Sequence, residues 1–192
     1  MAIDSVTELQ NIASTIRTCT LCTLCEGRTN AVPGSGNLKA EIVFIGEGPG
    51  KNEDVHGVPF CGASGKLLDQ MLLSIGLARD DVFITNIVKC RPPGNRDPLP
   101  FEKVVCATTY LDHQLDLINP KLIVTLGRHA LNHFIPDLKI SEVHGHAQFH
   151  NNQHFLPLYH PAVALYNGGM KTTLAEDFLT IPTLLQNLTQ TH

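Results

Sequence analysis

Residues 41–50 read EIVFIGEGPG, a short apolar run with β-branched side chains that ends directly in a glycine-rich turn. Three more apolar runs of similar length lie at 82–88, 121–126 and 155–159, and the first run itself spans 41–46. Short runs that are rich in Val, Ile and Phe and end in turn-forming or polar residues are typical of buried strands. The sequence therefore predicts four strands.

The segments around these strands have the apolar spacing of amphipathic helices. The predicted helices cover residues 6–17, 65–75, 101–118, 128–134 and 174–188. Strands that alternate with helices favour parallel pairing with right-handed crossovers. We therefore expect an α/β protein, a three-layer α/β/α sandwich around a four-stranded, mainly parallel sheet, folded as a single domain over residues 1–192.

Composition narrows the class of protein. The 192 residues are 43% hydrophobic, which excludes a disordered chain. No apolar run approaches the roughly 18 residues that a membrane helix needs, and the first residues lack the pattern of a signal peptide. We expect a soluble, cytoplasmic protein with no membrane partner.

The charge balance limits how the chain could bind nucleic acid. Its formal net charge of −4 excludes a surface that is basic overall. Any contact with DNA must therefore come from a local patch, for which Lys89, Arg91 and Arg96 are the candidates. The alternative is that these cations belong to an ordinary solvated loop.

Six cysteines in a chain without a secretion signal point to metal rather than to disulfides. Cys19 and Cys22 form a C-x2-C knuckle, and Cys90 and Cys106 follow far downstream. Four thiolates suit either tetrahedral zinc or a [4Fe–4S] cluster, and the spacing alone does not decide between them. The other two cysteines are left over.

Polar and small residues follow the predicted strands at one edge of the sheet. Ligands of open α/β sheets bind just beyond the carboxyl ends of the strands, so we expect the site there. Asn86 lies toward the end of the second strand, and His160 follows the fourth. The turn at 46–50 is neither a Walker loop nor a dinucleotide fingerprint. Its neighbouring carboxylates, Glu47 and Glu53, belong either to the site or to a solvated loop.

Several motifs now occur together in a characteristic order. They are C-x2-C followed by GRTN-x-VPG-x-G (27–36), GEGPG-x2-ED (46–54), G-x-PF-x-G-x-x-GKLL (57–68), TN-x-VKCRPP-x-NR-x-P (85–98) and HPA (160–162). In this order the chain resembles family 4 uracil-DNA glycosylases, the iron–sulfur branch of the uracil-DNA glycosylase superfamily. The similarity spans most of the chain.

The resemblance implies hydrolysis of the bond between uracil and deoxyribose in single- or double-stranded DNA, by a monomer. Uracil would be flipped into a pocket. By resemblance the uracil-binding residues are Glu47, Gly48, Pro49, Phe60, Cys61, Asn86 and His160. Phe60 would stack on the base, the Asn86 amide would pair with O4 and N3–H, and His160 would face a carbonyl oxygen.

The resemblance does not assign the residue that orients the attacking water. Gly48 stands where the best-known branch of the superfamily carries an aspartate, and glycine has no side chain to offer. Together with His160, the catalytic candidates are therefore Glu47, Glu53 and Asn95. Either Glu47 or Glu53, with Asn95, could orient water, and Glu47 is the favoured candidate; the alternative is that uracil departs largely without help from a general base. We also expect Glu53 to shape the pocket near C5 of uracil.

The resemblance also assigns a cofactor and a DNA surface. It implies that Cys19, Cys22, Cys90 and Cys106 hold a [4Fe–4S] cluster that pins the N-terminal segment beside the loop after the second strand. The expected DNA contacts are Lys89, Arg91, Arg96, Tyr166, Asn167 and Lys171, the last three on a loop that wedges into the minor groove. The alternative function is a non-catalytic iron–sulfur DNA-binding module. Recruitment by replication or repair proteins is left open.

Overall fold

The computed structural model describes residues 4–190 and has a six-stranded mixed sheet at its centre. The strands are β1 (Ser35–Gly36), β2 (Ile42–Gly46), β3 (Phe83–Asn86), β4 (Leu122–Leu126), β5 (Gln148–His150) and β6 (Gln153–Leu158). They are ordered β1-β3-β2-β4-β6-β5 across the sheet. The α/β class is therefore confirmed, and the predicted number of strands is wrong.

The four predicted strands are the four parallel ones, β3, β2, β4 and β6. The two additional strands pair antiparallel at the edges, β1 on β3 and β5 on β6. They have only two and three residues and contain no apolar run, so nothing in their own sequence predicts them. Each forms because a neighbouring strand offers an unpaired edge.

The five predicted helices are present, two of them interrupted, and four short helices within residues 4–190 were not predicted. The helices are α1 (Ser5–Thr18), α2 (Leu24–Gly27), α3 (Lys51–His56), α4 (Ala63–Ser74), α5 (Pro100–Cys106), α6 (Asp112–Ile118), α7 (Arg128–Phe134), α8 (Ile140–Val143), α9 (Pro161–Ala164), α10 (Gly168–Phe178) and α11 (Thr180–Gln190). Those that were not predicted are α2, α3, α8 and α9. The predicted helix at 101–118 contains a π-helical segment, Ala107–Leu111, between α5 and α6. The predicted helix at 174–188 is two helices, because Pro182 has no amide hydrogen and fits only in the first turn of a new helix.

Apolar side chains on the two faces of the sheet form two separate cores. On one face Val43, Ile45 and Ile123 pack with residues of α1, α6 and α7. On the other face Ile42 and Phe44 pack with α4, α10 and α11. Helices therefore cover both faces, as the three-layer prediction requires.

The parallel strands end together at one edge of the sheet, and this edge positions the candidate site. β2 leads into the glycine-rich turn, where Gly46 is fully enclosed. A Cβ on Gly46 would lie 2.4 Å from Asn86 Oδ1 and 2.7 Å from Phe60 Cζ, so only glycine lets these two side chains approach the end of β2. Within residues 4–190, no helix has the length and apolar character to cross a membrane.

Candidate active site

A cleft of about 920 Å³ opens at the carboxyl ends of the parallel strands. Ten of the predicted site residues line it: Glu47, Gly48, Pro49, Glu53, Phe60, Asn86, Asn95, Arg96, His160 and Tyr166. Five predicted residues do not line it: Cys61, Lys89, Arg91, Asn167 and Lys171. Of these five, Cys61 is a predicted uracil-binding residue, and the other four are predicted DNA contacts.

His160 immediately precedes α9 and lies at the end of β6. The backbone N–H of Ala162 donates to its Nδ1 at 3.1 Å, so the neutral ring carries its proton on Nε2. Burial, together with the neighbouring His129, lowers the pKa of His160 to about 4. The imidazole is therefore neutral near pH 7 and offers a single N–H donor.

Phe60 contributes an aromatic surface next to this donor. Its side chain is only 4% exposed, and its ring lies 5.5 Å from the ring of His160 with an interplanar angle of 29°. Cys61 does not share this position, because its sulfur lies outside the cleft, 3.9 Å from His56 Nδ1. The expected contact between Cys61 and uracil is therefore not supported by the structure.

Asn86 ends β3 with its side chain at the base of the cleft and is 2% exposed. The backbone carbonyl oxygen of Asn86 accepts a hydrogen bond from Lys89 Nζ at 2.8 Å. That ammonium group also donates to Thr85 Oγ1 at 2.7 Å and to Gln114 Oε1 at 2.8 Å. Lys89 is 1% exposed, so the prediction that it contacts DNA is wrong; it supports the end of β3 from inside the protein.

Glu47 directly follows β2 and has unusual electrostatics. Its Oε1 atom is buried and, within the part of the chain that the structure describes, accepts no hydrogen bond. Lys103 Nζ lies 3.9 Å and His129 Nδ1 lies 3.3 Å from that atom. Burial and the nearby Asp97 raise the pKa of Glu47 to about 7, against the opposing effect of Lys103 and Arg128.

The other two candidates for orienting water, Glu53 and Asn95, come from different elements of the fold. Glu53 is in the first turn of α3, and its carboxylate lies against Gly50. A Cβ at position 50 would lie 2.8 Å from Glu53 Oε2, so glycine provides the space that this carboxylate occupies. Asn95 is in the loop after β3, where its Oδ1 accepts a hydrogen bond from Arg91 Nε at 2.7 Å. Arg91 is thus partly engaged within the protein.

The remaining predicted DNA contacts differ in their exposure and in their bonds within the protein. Arg96 forms a two-bond ion pair with Glu102, at 2.9 and 2.8 Å, and this pairing lowers the pKa of the fully buried Glu102 carboxyl. Tyr166 is 93% exposed at the mouth of the cleft. Asn167 caps α10 by accepting from two backbone N–H groups. Residues 168–171 are therefore a helix turn that carries the exposed Lys171, and the predicted loop ends at Asn167.

The structure brings one imidazole to the cleft that the sequence analysis did not identify. His129 lies between Glu47 and Asp97, with its Nε2 3.3 Å from Asp97 Oδ2. It is the second residue after Gly127, and its place just beyond the carboxyl end of β4 is a signal present in the sequence. The three side chains are close enough to hold a metal ion, but Lys103 and Arg128 next to them oppose binding of a cation.

The predicted metal ligands meet at a second place, away from the cleft. Cys19, Cys22, Cys90 and Cys106 line one cavity, to which Cys25 also contributes. Donors point at three of the sulfurs: Arg28 Nη1 to Cys90 at 3.1 Å, Lys89 N to Cys106 at 3.3 Å and Leu21 N to Cys19 at 3.5 Å. Such donors stabilise thiolate charge, so the residues present fit a thiolate-ligated metal group.

Fold and site define the class of protein. Residues 33–180 match the family model described as the uracil DNA glycosylase superfamily. The chain is 49% identical over 180 residues to the type-4 uracil-DNA glycosylase of Sulfurisphaera tokodaii, covering 88% of this chain and 81% of the relative. The type-4 uracil-DNA glycosylase of Thermotoga maritima is 44% identical over 164 residues, covering 83% of this chain and 85% of the relative. A type-5 uracil-DNA glycosylase of Pyrobaculum aerophilum is 32% identical over 167 residues, covering 76% of this chain and 72% of the relative. The chain belongs to the type-4 uracil-DNA glycosylases.

Proposed function

We propose that this protein hydrolyses the N-glycosidic bond of deoxyuridine in DNA, releases uracil and leaves an abasic site that base excision repair then processes. The observation that carries the proposal is the convergence of Phe60, Asn86 and a neutral His160 at one cleft. The names of the type-4 relatives support the same reaction.

Recognition of the base requires a stacking surface and a matched pair of hydrogen bonds. A base inside a duplex is out of reach, so the enzyme takes up uracil in an extruded position. The Phe60 ring is the stacking surface in the cleft. The Asn86 amide donates to O4 and accepts from N3–H, a pattern that cytosine inverts. The two residues together select uracil over cytosine.

Bond cleavage places negative charge on the departing base. The Nε2–H group of His160 donates to the uracil carbonyl oxygen on which this charge develops. Because the imidazole is neutral before the reaction, it stabilises the anion without repelling the positively charged sugar. Its tautomer is fixed in advance by Ala162 N–H, so little reorganisation is needed at the transition state.

The attacking water needs a hydrogen-bond acceptor, and Glu47 is the residue that we assign to it. Its side chain lines the cleft, and its pKa of about 7 makes the carboxylate available only near and above neutrality. Asn95 and Glu53 line the same cleft and complete the polar surface around the water and the base. The backbone of Gly48 and Pro49 forms the floor beside them.

The metal group most consistent with the cysteines is a [4Fe–4S] cluster on Cys19, Cys22, Cys90 and Cys106. Four thiolates on one zinc ion lie about 3.8 Å apart. Among residues 4–190, no three cysteine sulfurs lie within 4.8 Å of one another, which favours a larger group. Such a cluster would cross-link the N-terminal segment to the loop after β3 and would leave the chemistry at the cleft to the side chains named above.

Binding of DNA is assigned to the exposed residues around the mouth of the cleft. Tyr166 is the most exposed large side chain there and suits insertion beside the extruded base. Arg96 and Lys171 supply positive charge, with Arg91 next to Asn95. The protein would bind DNA as a monomer.

The test is a base-release assay on an oligonucleotide with one deoxyuridine, with the matched thymidine oligonucleotide as control. We expect free uracil and an alkali-labile site from single- and double-stranded substrate, and no release of thymine. A protein that binds both oligonucleotides and releases nothing would contradict the proposal and favour a non-catalytic iron–sulfur DNA-binding module.

A further inference from the structure

The backbone of Phe60 adopts an unusual conformation. Among residues 4–190, the non-glycine residues with positive φ are Phe60, Asn95, Asn119, Asn151 and Asn152. Asparagine tolerates the left-handed region, whereas a bulky aromatic residue there is an outlier. At φ 50°, Phe60 therefore holds a strained conformation that the surrounding structure has to maintain.

The side chain of Arg79, which does not line the cleft, is hydrogen-bonded to the backbone at Pro59 and Phe60. Arg79, at the start of a 3-10 turn before β3, donates from Nη1 to the carbonyl oxygen of Pro59 at 3.0 Å and from Nη2 to that of Phe60. Its Nε donates to Asp69 Oδ1 on α4 at 2.6 Å. The planar guanidinium thus joins two successive carbonyl groups to an anchored carboxylate, a geometry that lysine cannot reproduce.

Two glycines allow the segment to lie where Arg79 holds it. A Cβ on Gly65 would come within 1.5 Å of the Phe60 carbonyl oxygen, so α4 accepts the strained turn only with glycine at this position. Gly46 gives the ring the same freedom at the end of β2. The backbone and the ring of Phe60 are therefore fixed from opposite sides.

We propose that Arg79, oriented by Asp69, is a positioning residue that keeps Phe60 in its strained conformation so that the ring stands ready to stack on the extruded base. The inference rests on the proposed function. Arg79 does not line the cleft, so it acts on the base only through Phe60. Nothing in this role requires Arg79 to touch DNA.

The test measures coupling between Arg79 and Phe60. Arg79→Lys and Asp69→Asn are made in the wild-type protein and in the Phe60→Ala protein. Dissociation of free uracil is measured by equilibrium dialysis, and kcat and KM are measured on a single-stranded uracil oligonucleotide. Glu142→Gln removes an exposed ion pair with Lys139 and serves as the matched control.

In the wild-type background we expect Arg79→Lys to weaken uracil binding and to raise KM by about fivefold or more, because stacking on an aromatic ring contributes at least that much. The change in kcat should be smaller, because stacking stabilises ground and transition states alike. In the Phe60→Ala background, the same substitution should change neither quantity by more than about twofold.

Equal effects of Arg79→Lys in both backgrounds would overturn the inference, since they would show that Arg79 acts independently of Phe60. Unchanged uracil binding and KM in the wild-type background would overturn it as well. Binding of free uracil needs no turnover. A protein that binds uracil with the expected coupling but releases none from DNA would therefore contradict the proposed function and leave the role of Arg79 supported.

Discussion

Replacing His160 by Ala removes the only imidazole donor that we place on the departing base. A single preorganised donor to a developing anion contributes about 10²- to 10³-fold to kcat. Because Nε2–H is fixed by Ala162 N–H at 3.1 Å and the ring is neutral near pH 7, its contribution should lie within this range. We therefore expect His160→Ala to slow uracil release by about 100-fold or more.

The assay is single-turnover release of uracil from a single-stranded oligonucleotide, with enzyme in excess, next to a measurement of DNA affinity by fluorescence anisotropy. The affinity for DNA should change by less than about threefold, because the donor acts mainly in the transition state. Loss of the cap at Ala162 N lowers stability by about 1 kcal/mol, so the comparison is made well below the melting temperature.

Two results would refute this reasoning. A fall in rate of less than tenfold would show that His160 does not stabilise the leaving group. Equal losses in rate and in affinity would show that it binds DNA and has no preferential role in the transition state. Asn132→Ala, which removes two hydrogen bonds from the α7 side chain to the carbonyl oxygens of Pro136 and Leu138, provides the control for general damage to the fold.

Four further predictions concern other parts of the molecule. Since Glu47 is ionised only above its pKa of about 7, kcat/KM should rise as pH increases through 7, and Glu47→Gln should abolish this rise in a rate–pH profile. Asn86→Asp replaces the donor to O4 with an acceptor and should lower uracil release by about 10- to 100-fold under single-turnover conditions. Cys22→Ala should remove iron and visible absorption and lower the melting temperature, whereas Cys61→Ala should leave iron content unchanged. Gly65→Ala should lower the free energy of unfolding by about 1–3 kcal/mol in chemical denaturation, because its Cβ would meet the Phe60 carbonyl oxygen; normal stability would contradict the strained packing described above.

The central sheet could be predicted from the sequence because each parallel strand is a buried apolar run. The order of residues along the chain then places the turn after β2, the end of β3 and His160 at one edge. The edge strands β1 and β5 could not be predicted, since their pairing depends on neighbours distant in sequence. The π-helical segment at Ala107–Leu111 likewise has no clear local signal.

The site was harder to predict where burial decides the role of a residue. Lys89 lies between Val88 and Cys90 in a basic stretch, and only the tertiary structure shows that its ammonium group is enclosed by Thr85, Asn86 and Gln114. Asn167 has a local role as a helix cap that competes with contact to DNA. The raised pKa of Glu47 depends first on burial of its carboxyl and then on Asp97, which the sequence places about fifty residues away.

The most direct test of the central claim is a crystal structure of the protein with uracil bound. The account predicts that the base lies against the Phe60 ring, with the Asn86 amide at hydrogen-bond distance from O4 and N3 and His160 Nε2 at hydrogen-bond distance from a carbonyl oxygen. Uracil bound elsewhere, or in this cleft with Asn86 and His160 turned away from it, would contradict the account.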